Sequence, residues 1–265
     1  MDRGSFVMRP CACRDVQAVE ARSRHAFPRH THDSYGIGLV VRGAQRSWSG
    51  RGTVEAGPGN IITCNPGEVH DGMPIGATRE WKMLYLAPPL VGTIVSDIRA
   101  GARTELEFPN PVIDKHTQAH VFEAAYRALT GQHADAGRAH ERLILLLAGL
   151  LHHKRPSSAL VPPGLARAKA RIDDDPTAPI ALADLAREAG VSCFQIVRGF
   201  AKLTGLTPHA YIVQRRLDAA RAIIAAGATL ANAAIDCGFA DQSHFSRAFV
   251  GRYGTTPGVY AKALR

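Results

Sequence analysis

In the N-terminal part of the chain the apolar positions come in short runs, many of them β-branched, set between turn residues. Gly36-Ile37-Gly38-Leu39-Val40-Val41 closes at Arg42-Gly43. Gln45 to Trp48, Ile61 to Cys64, Val69-His70 and Trp81 to Leu86 follow, punctuated by Gly57-Pro58-Gly59-Asn60, Asn65-Pro66-Gly67-Glu68 and Pro88-Pro89. Short strands at this spacing predict a small antiparallel barrel or sandwich. The residues before about 22 show little periodicity and read as an edge strand or an arm. Beyond Pro111 the period lengthens to that of helices. Val121, Phe122, Ala125 and Leu129 mark one over Thr117 to Leu129. Leu143, Ile144, Leu146, Leu147, Leu150 and Leu151 mark a second over Arg138 to His153. The second is apolar over more than one stripe, which fits burial in two directions, against its own domain and against a partner. A simple two-helix cover of the barrel is the other reading.

Pro156-Ser157-Ser158 and Pro162-Pro163-Gly164 break both periods and mark a hinge. The boundaries that follow are 1–155 for the first domain, 156–163 for the linker and 164–265 for the second domain. The second domain reads as all helical. Leu165 to Ile172 forms its first helix, closed by Asp173-Asp174-Asp175-Pro176. No Asp-x-Asp-x-Asp-Gly loop is present there, so an exposed acidic turn is expected rather than a cation site. Leu182 to Ala189 is a supporting helix, Gly190-Val191 a turn, Ser192 a cap and Cys193 to Leu203 a second helix. A long helix from His209 to about Ala226 comes next. Gly238 then supplies another turn and Asp241 another cap, before a helix starting near Gln242 with Phe245, Phe249 and Tyr253 facing inward.

These two helix-turn-helix units are copies of one pattern. Ala186, Gly190, Arg198, Phe200, Gly205, Thr207, Pro208 and Tyr211 recur as Ala234, Gly238, Arg247, Phe249, Gly254, Thr256, Pro257 and Tyr260. Ile196 and Phe245 hold matching apolar places. Gly190 to Gly238 is a step of 48 residues and Arg198 to Arg247 one of 49, so the second turn carries one inserted residue. A duplicated unit of this kind can present two recognition helices to successive major grooves, about 34 Å apart.

At these residues the chain resembles the DNA-binding domain of the AraC family of bacterial transcription regulators, over about 164–265. Gly238-Phe239, Asp241-Gln242-Ser243, Phe245, Arg247, Phe249, Gly254, Thr256-Pro257 and Tyr260 fill every fixed place of the family pattern. Val250 departs from it, standing where the family commonly has a lysine. By matching places, the resemblance implies that Phe194, Val197 and Arg198 face DNA in the first unit, with Gln195 a further candidate. In the second unit the same matching implies Gln242, Ser243, His244 and Arg247. Arg198 and Arg247 have two readings, a guanine or phosphate contact and an intradomain salt bridge; Phe194 or Val197 suits a thymine methyl.

The segment from His30 to His70, within about residues 20–95, resembles the cupin-like sensing domain that precedes the DNA-binding domain in that family. Small effectors bind inside that barrel. His30 and His32, two residues apart on a strand, share a face, and His70 on a hairpin can converge on them. Three imidazoles with an open position are a known metal arrangement. The enzymatic cupin pattern expects a Glu shortly after the second His, and Tyr35, Gly36 and Ile37 stand there instead. A metal-free barrel is therefore expected, with no cofactor, in which His30, His32, Tyr35 and His70 contact the effector and the imidazoles line a pocket or bond the backbone. Trp48 and Trp81 read as pocket or core aromatics alike.

Charge sharpens this picture. The net charge is +9, and residues 164–265 hold 13 Lys and Arg against 8 Asp and Glu, compared with 19 against 15 in the rest. The balance favours a polyanionic partner. Five cysteines in no disulfide spacing and the absence of an apolar leader make the cytoplasm the default, and no stretch is long enough for a membrane span. The expected fold class is α+β: a cupin-like barrel with a helical dimerisation segment, then an all-α domain. The expected function is a homodimeric, effector-controlled, sequence-specific regulator of transcription, not an enzyme, with double-stranded DNA and a small molecule as partners and RNA polymerase as a further candidate. A cupin metalloenzyme fused to a DNA-binding domain and a non-specific DNA-packing protein are the alternatives.

Overall fold

The structure is a computed structural model that describes residues 4–98, 106–132, 134–153 and 161–264. The chain divides into two compact units, residues 1–26 with 31–156 and residues 27–30 with 157–265. Residues 156–160 of the expected linker lie outside the described residues.

The N-terminal part of the chain supplies a sheet of β1 (Ser5–Arg9), β2 (Val16–Ser23), β3 (Phe27–His30), β4 (Tyr35–Ser49), β5 (Gly52–Ala56), β6 (Ile61–Cys64), β7 (His70–Leu86) and β9 (Val112–Ile113). The sheet runs β1-β2-β7-β4-β6-β9, with β5 beside β4 and β3 beside β7. The expected barrel is therefore a sheet that does not close. Its two edges are β1 and β9, the latter joined to β6 by two pairs, Ile61 with Ile113 and Ile62 with Val112. What the sequence suggested as several short strands is in β4 and β7 a pair of long ones, bent by register shifts between Val40 and Arg42 and between Arg42 and Ala44.

Alternation sorts the sheet into two faces. Val16, Ala18, Ile37, Leu39, Ile61, Leu84 and Leu86 point to one side. There they meet α1 (Pro88–Ile98), α2 (His116–Thr130) and α3 (Ala136–Ala148), which contribute Val91, Ile94, Phe122, Leu129, Leu143, Leu146 and Leu147. Helix α1 went unforeseen because Pro88-Pro89 read as a break, whereas proline is at home in a first turn. Helix α3 ends earlier than expected, at the cap Gly149, and His152–His153 is instead a short strand, β10, paired with β8 (Leu106–Glu107). Most of the α3 leucines are spent inside the unit, leaving Leu145 49% exposed.

The C-terminal unit comprises α4 (Pro163–Asp174), α5 (Leu182–Ala189), α6 (Cys193–Thr204), α7 (Pro208–Ala225), α8 (Leu230–Asp236), α9 (Gln242–Tyr253) and α10 (Pro257–Ala263). Thr207, Thr229 and Thr256 cap α7, α8 and α10 by accepting from backbone N–H groups three residues on. Helix α7 ties the unit together. Near its start the Tyr211 hydroxyl donates to Asp173 at 2.8 Å and its ring lies 5.4 Å from that of Phe200. Asp173 also pairs with Lys169 and Arg215, so the expected solvated acidic turn is in part a structural junction. Midway along α7, Arg216 donates to the carbonyls of Pro176 (2.7 Å), Ala178 (3.0 Å) and Gly238 (2.7 Å).

Replacing Arg216 with Ala leaves those three carbonyls without their charged donor. The expected loss is about 2–4 kcal/mol in chemical denaturation followed by helical circular dichroism. Arg171→Ala, which breaks an exposed pair with Glu188, should cost less than about 1 kcal/mol in the same measurement.

Candidate nucleic-acid interface and sensing face

In the first helix-turn-helix unit the chain leaves α5 through Gly190 at φ 70°, and Val191 N–H returns to the Ala186 carbonyl at 3.0 Å. Ser192 then opens α6 with a capping box: its hydroxyl accepts from Gln195 N–H, and its own N–H donates to the Gln195 side-chain oxygen at 2.9 Å. Ile196 and Phe200 are buried. Cys193, Phe194, Gln195 and Arg198 are exposed and Val197 is half-buried, as a groove-facing set requires. Gln195 has its carbonyl oxygen committed to the cap, a duty that sequence alone did not reveal. The Arg198 guanidinium lies 5.4 Å from the centroid of the Phe194 ring.

The second unit repeats this construction. Gly238 sits at φ 74°, Phe239 N–H returns to the Ala234 carbonyl, and Asp241 accepts from His244 N–H at 2.6 Å. That backbone N–H, helped by Arg247, holds the Asp241 carboxyl below its ordinary pKa. A Cβ at position 238 would lie 2.9 Å from the Thr177 carbonyl oxygen and 3.0 Å from the Arg216 guanidinium carbon, so the turn needs glycine for both φ and space. Phe245 and Phe249 are buried among Phe239, Tyr253 and Tyr260. Gln242, Ser243 and Arg247 are exposed; His244 is half-buried, its ring 5.4 Å from Phe239. Among the described residues neither Arg198 nor Arg247 has a carboxylate at salt-bridge distance, although Arg247 acts on the Asp241 carboxyl from further away.

On the sheet, the face opposite the helices carries Trp81, Met83 and Tyr85 of β7, Gly36 and Gly38 of β4, and Cys64 of β6. A Cβ on Gly36 would meet Cys64 Sγ at 2.3 Å, and one on Gly38 would meet Met83 Sδ at 2.1 Å. The two glycines thus make room for sulfur atoms lying across β4. His32 comes to this face, its ring 5.0 Å from Tyr85 and 5.3 Å from His70. The ligand atoms of His30, His32 and His70 lie within 4.8 Å of one another. His30 Nδ1 donates to the Pro28 carbonyl at 2.7 Å and His70 Nδ1 to the Glu68 carbonyl at 3.1 Å. The turn before His70 is fixed by Arg51, which grips the Glu68 carboxylate with two bonds of 2.7 and 2.8 Å and donates to the Phe108 carbonyl. Tyr35 is not part of this group. It shares the parity of Ile37 and Leu39, packs edge-on against Phe108 and donates to the Leu106 carbonyl at 2.9 Å. Tyr85 holds the place expected of Tyr35; the strand parity at Trp81 to Leu86 was the signal that could have found it.

A family model described as an AraC-like ligand binding domain matches residues 15–148, half of the chain. The chain belongs to the AraC family. A second model, a helix-turn-helix domain, matches residues 185–263. The chain is 26% identical over 224 residues to the uncharacterized HTH-type transcriptional regulator YbfI of Bacillus subtilis, covering 82% of this chain and 81% of that one. Its fold is similar to ToxT from Vibrio cholerae O395, with a TM-score of 0.59, 13% identity and coverage of 95% and 99%. It is also similar to unsaturated fatty acid bound ToxT from Vibrio cholerae strain SCE256, at 0.56, 12%, 97% and 95%. This AraC-family chain is a transcription regulator with an N-terminal ligand-binding domain and a DNA-binding helix-turn-helix domain. Among its described residues no helix is long and apolar enough to cross a membrane.

Burial holds the His70 imidazole below its ordinary pKa, so the folded domain favours the neutral ring. The stability this preference contributes is complete above the unfolded-state pKa of about 6.5 and is lost as pH falls toward the lower folded value. Thermal denaturation of wild type should therefore weaken between neutral and mildly acidic pH more steeply than that of His70→Gln.

Proposed function

We propose that this regulator binds a defined operator with α6 and α9 in successive major grooves, and that a small molecule on the Trp81, Met83 and Tyr85 face favours one presentation of the DNA-binding units over another. The carrying observation is the repeated construction of the two helices. Each is capped by a side chain, buries its aromatic or aliphatic stripe, and leaves an arginine on the outer face two positions after the equivalent apolar place, Ile196 or Phe245. Phe194, Gln195, Val197 and Arg198 in the first unit, and Gln242, Ser243, His244 and Arg247 in the second, are the residues assigned to DNA.

For the effector, the assigned contacts are His30, His32 and His70, with Tyr85 in place of Tyr35. Rings, thioether and imidazoles on one face suit a small amphipathic molecule, in keeping with the fatty acid bound to ToxT. The imidazoles act as hydrogen-bonding groups, without metal. Their ligand atoms lie within 4.8 Å of one another, close enough to converge on an ion, but the Glu of the enzymatic cupin pattern is missing, with Tyr35, Gly36 and Ile37 where it would stand. The reading includes a cytoplasmic, non-enzymatic homodimer with the exposed Leu145 side of α3 at the contact, and RNA polymerase as a further partner.

Selecting duplexes from a random library with the full chain tests the DNA half. A shared sequence is expected to emerge, and uniform recovery would favour a packing protein. On that sequence Arg198→Ala and Arg247→Ala should each weaken binding by about 1–3 kcal/mol and relax the preference at different positions. Metal analysis should find far less than one ion per chain, with DNA affinity unchanged by chelator; a stoichiometric ion would favour the metalloenzyme reading.

A further inference from the structure

We infer that α6 reads a 5-methylpyrimidine beside a guanine, with Phe194 on the methyl group and Arg198 on the guanine, so that thymine and 5-methylcytosine serve alike at that position. The inference rests on the DNA-binding function proposed above and goes beyond it in naming the chemistry of one base step.

Phe194 is 68% exposed, on a helix that buries Ile196 and Phe200. A ring left in water on a face meant for a polyanion calls for an apolar target there. The edges of base pairs in the major groove offer one such group, the methyl on C5 of a pyrimidine. Arg198 stands one helical turn further on, its guanidinium carbon 5.4 Å from the ring centroid. That contact sets the cation over the ring. A guanidinium carries its N–H donors as a planar fork, the shape that pairs with guanine O6 and N7. Residues one turn apart are separated by about 6 Å along the axis. Side chains that converge as these do can reach neighbouring base pairs, which stack at about 3.4 Å.

Thymine and cytosine differ in the groove by the group at C4 and by the methyl. A phenyl ring has no donor or acceptor with which to read C4, so it senses the methyl alone. Cytosine methylated at C5 therefore restores what unmodified cytosine lacks. The second unit supplies an internal contrast. Ser243 stands at the place of Phe194 and Arg247 at that of Arg198, so α9 presents the arginine without the aromatic ring and its half-site should be indifferent to pyrimidine methyls.

The test uses the full chain on the sequence recovered by selection. Each thymine is replaced in turn by uracil, cytosine and 5-methylcytosine, and affinity is read by anisotropy. At one position in the α6 half-site, adjacent to a guanine whose preference is lost in Arg198→Ala, uracil and cytosine should weaken binding about three- to fivefold, the size of one buried methyl. 5-Methylcytosine should return it to within about twofold of thymine. In Phe194→Ala, with unchanged circular dichroism, thymine and uracil should bind equally. Uracil tolerated throughout the α6 half-site overturns the inference, as does discrimination that persists in Phe194→Ala, while leaving the operator function intact. A library that yields no preferred sequence overturns that function and this inference with it.

Discussion

The C-terminal unit depends on Arg216. Its guanidinium collects the carbonyls of Pro176, Ala178 and Gly238, joining the loop after α4 to the turn between α8 and α9. A neutral side chain could not serve three acceptors, and a lysine would lack the rigid fork that fits them together. The consequence reaches Gly238, which must stay without a Cβ because the same guanidinium fills the space beside it. The turn that aims α9 is thus specified from two sides, by a backbone angle and by a charge donated from α7. Further along α7, Asp218 accepts from the Tyr253 hydroxyl at 3.0 Å, and Arg221 lies over the rings of Tyr253 and Tyr260 at 5.0 and 5.3 Å. Burial pushes the Tyr253 phenol above its ordinary range, so it remains a hydrogen-bond donor.

In the N-terminal unit the governing constraint is the period of two. One set of residues along β4 and β7 must serve the helix-covered core and the other set the opposite face, so a residue's parity decides its role before its chemistry does. Ile37 and Leu39 on β4 fix Tyr35 on the core side. Gly36 and Gly38, one step out of phase, give up their side chains to Cys64 and Met83 and leave His32 beside Tyr85. The imidazoles here are held by short local bonds, His30 to Pro28 and His70 to Glu68. The second of these depends on the Arg51 grip that orders the turn.

Local signals were legible in the sequence and long-range ones were not. Ser192, Asp241, Gly190 and Gly238 declare their caps and turns within a few residues, and the repeat doubles each signal, so α5, α6 and α9 fall close to where the sequence puts them. The acidic run at Asp173 looked solvated because its partners, Tyr211 and Arg215, are far away in sequence. The sheet is open between β1 and β9, a matter of which strands pair across the chain, which no apolar pattern announces. Leucines on α3 looked numerous enough for a partner, yet α1 and α2 absorb most of them. Helix α1 was hidden by Pro88-Pro89, a pair that stops a helix arriving from upstream and starts one running downstream.

The two recognition helices share a scaffold but not a surface, and the difference follows from what each must hold in place. In α6 the cap is neutral and closed on itself, Ser192 with Gln195. Phe194 stands clear of the core, with Arg198 over its ring. In α9 the cap is an aspartate, the ring that accompanies the turn is Phe239, and that ring is buried against Phe245 and His244. An aromatic ring near the helix start is thus buried in the second unit, Phe239, and exposed in the first, Phe194. Duplication supplies two copies of a frame; the side chains on it differ, Val191 against Phe239 beside the turn and Phe194 against Ser243 on the outer face.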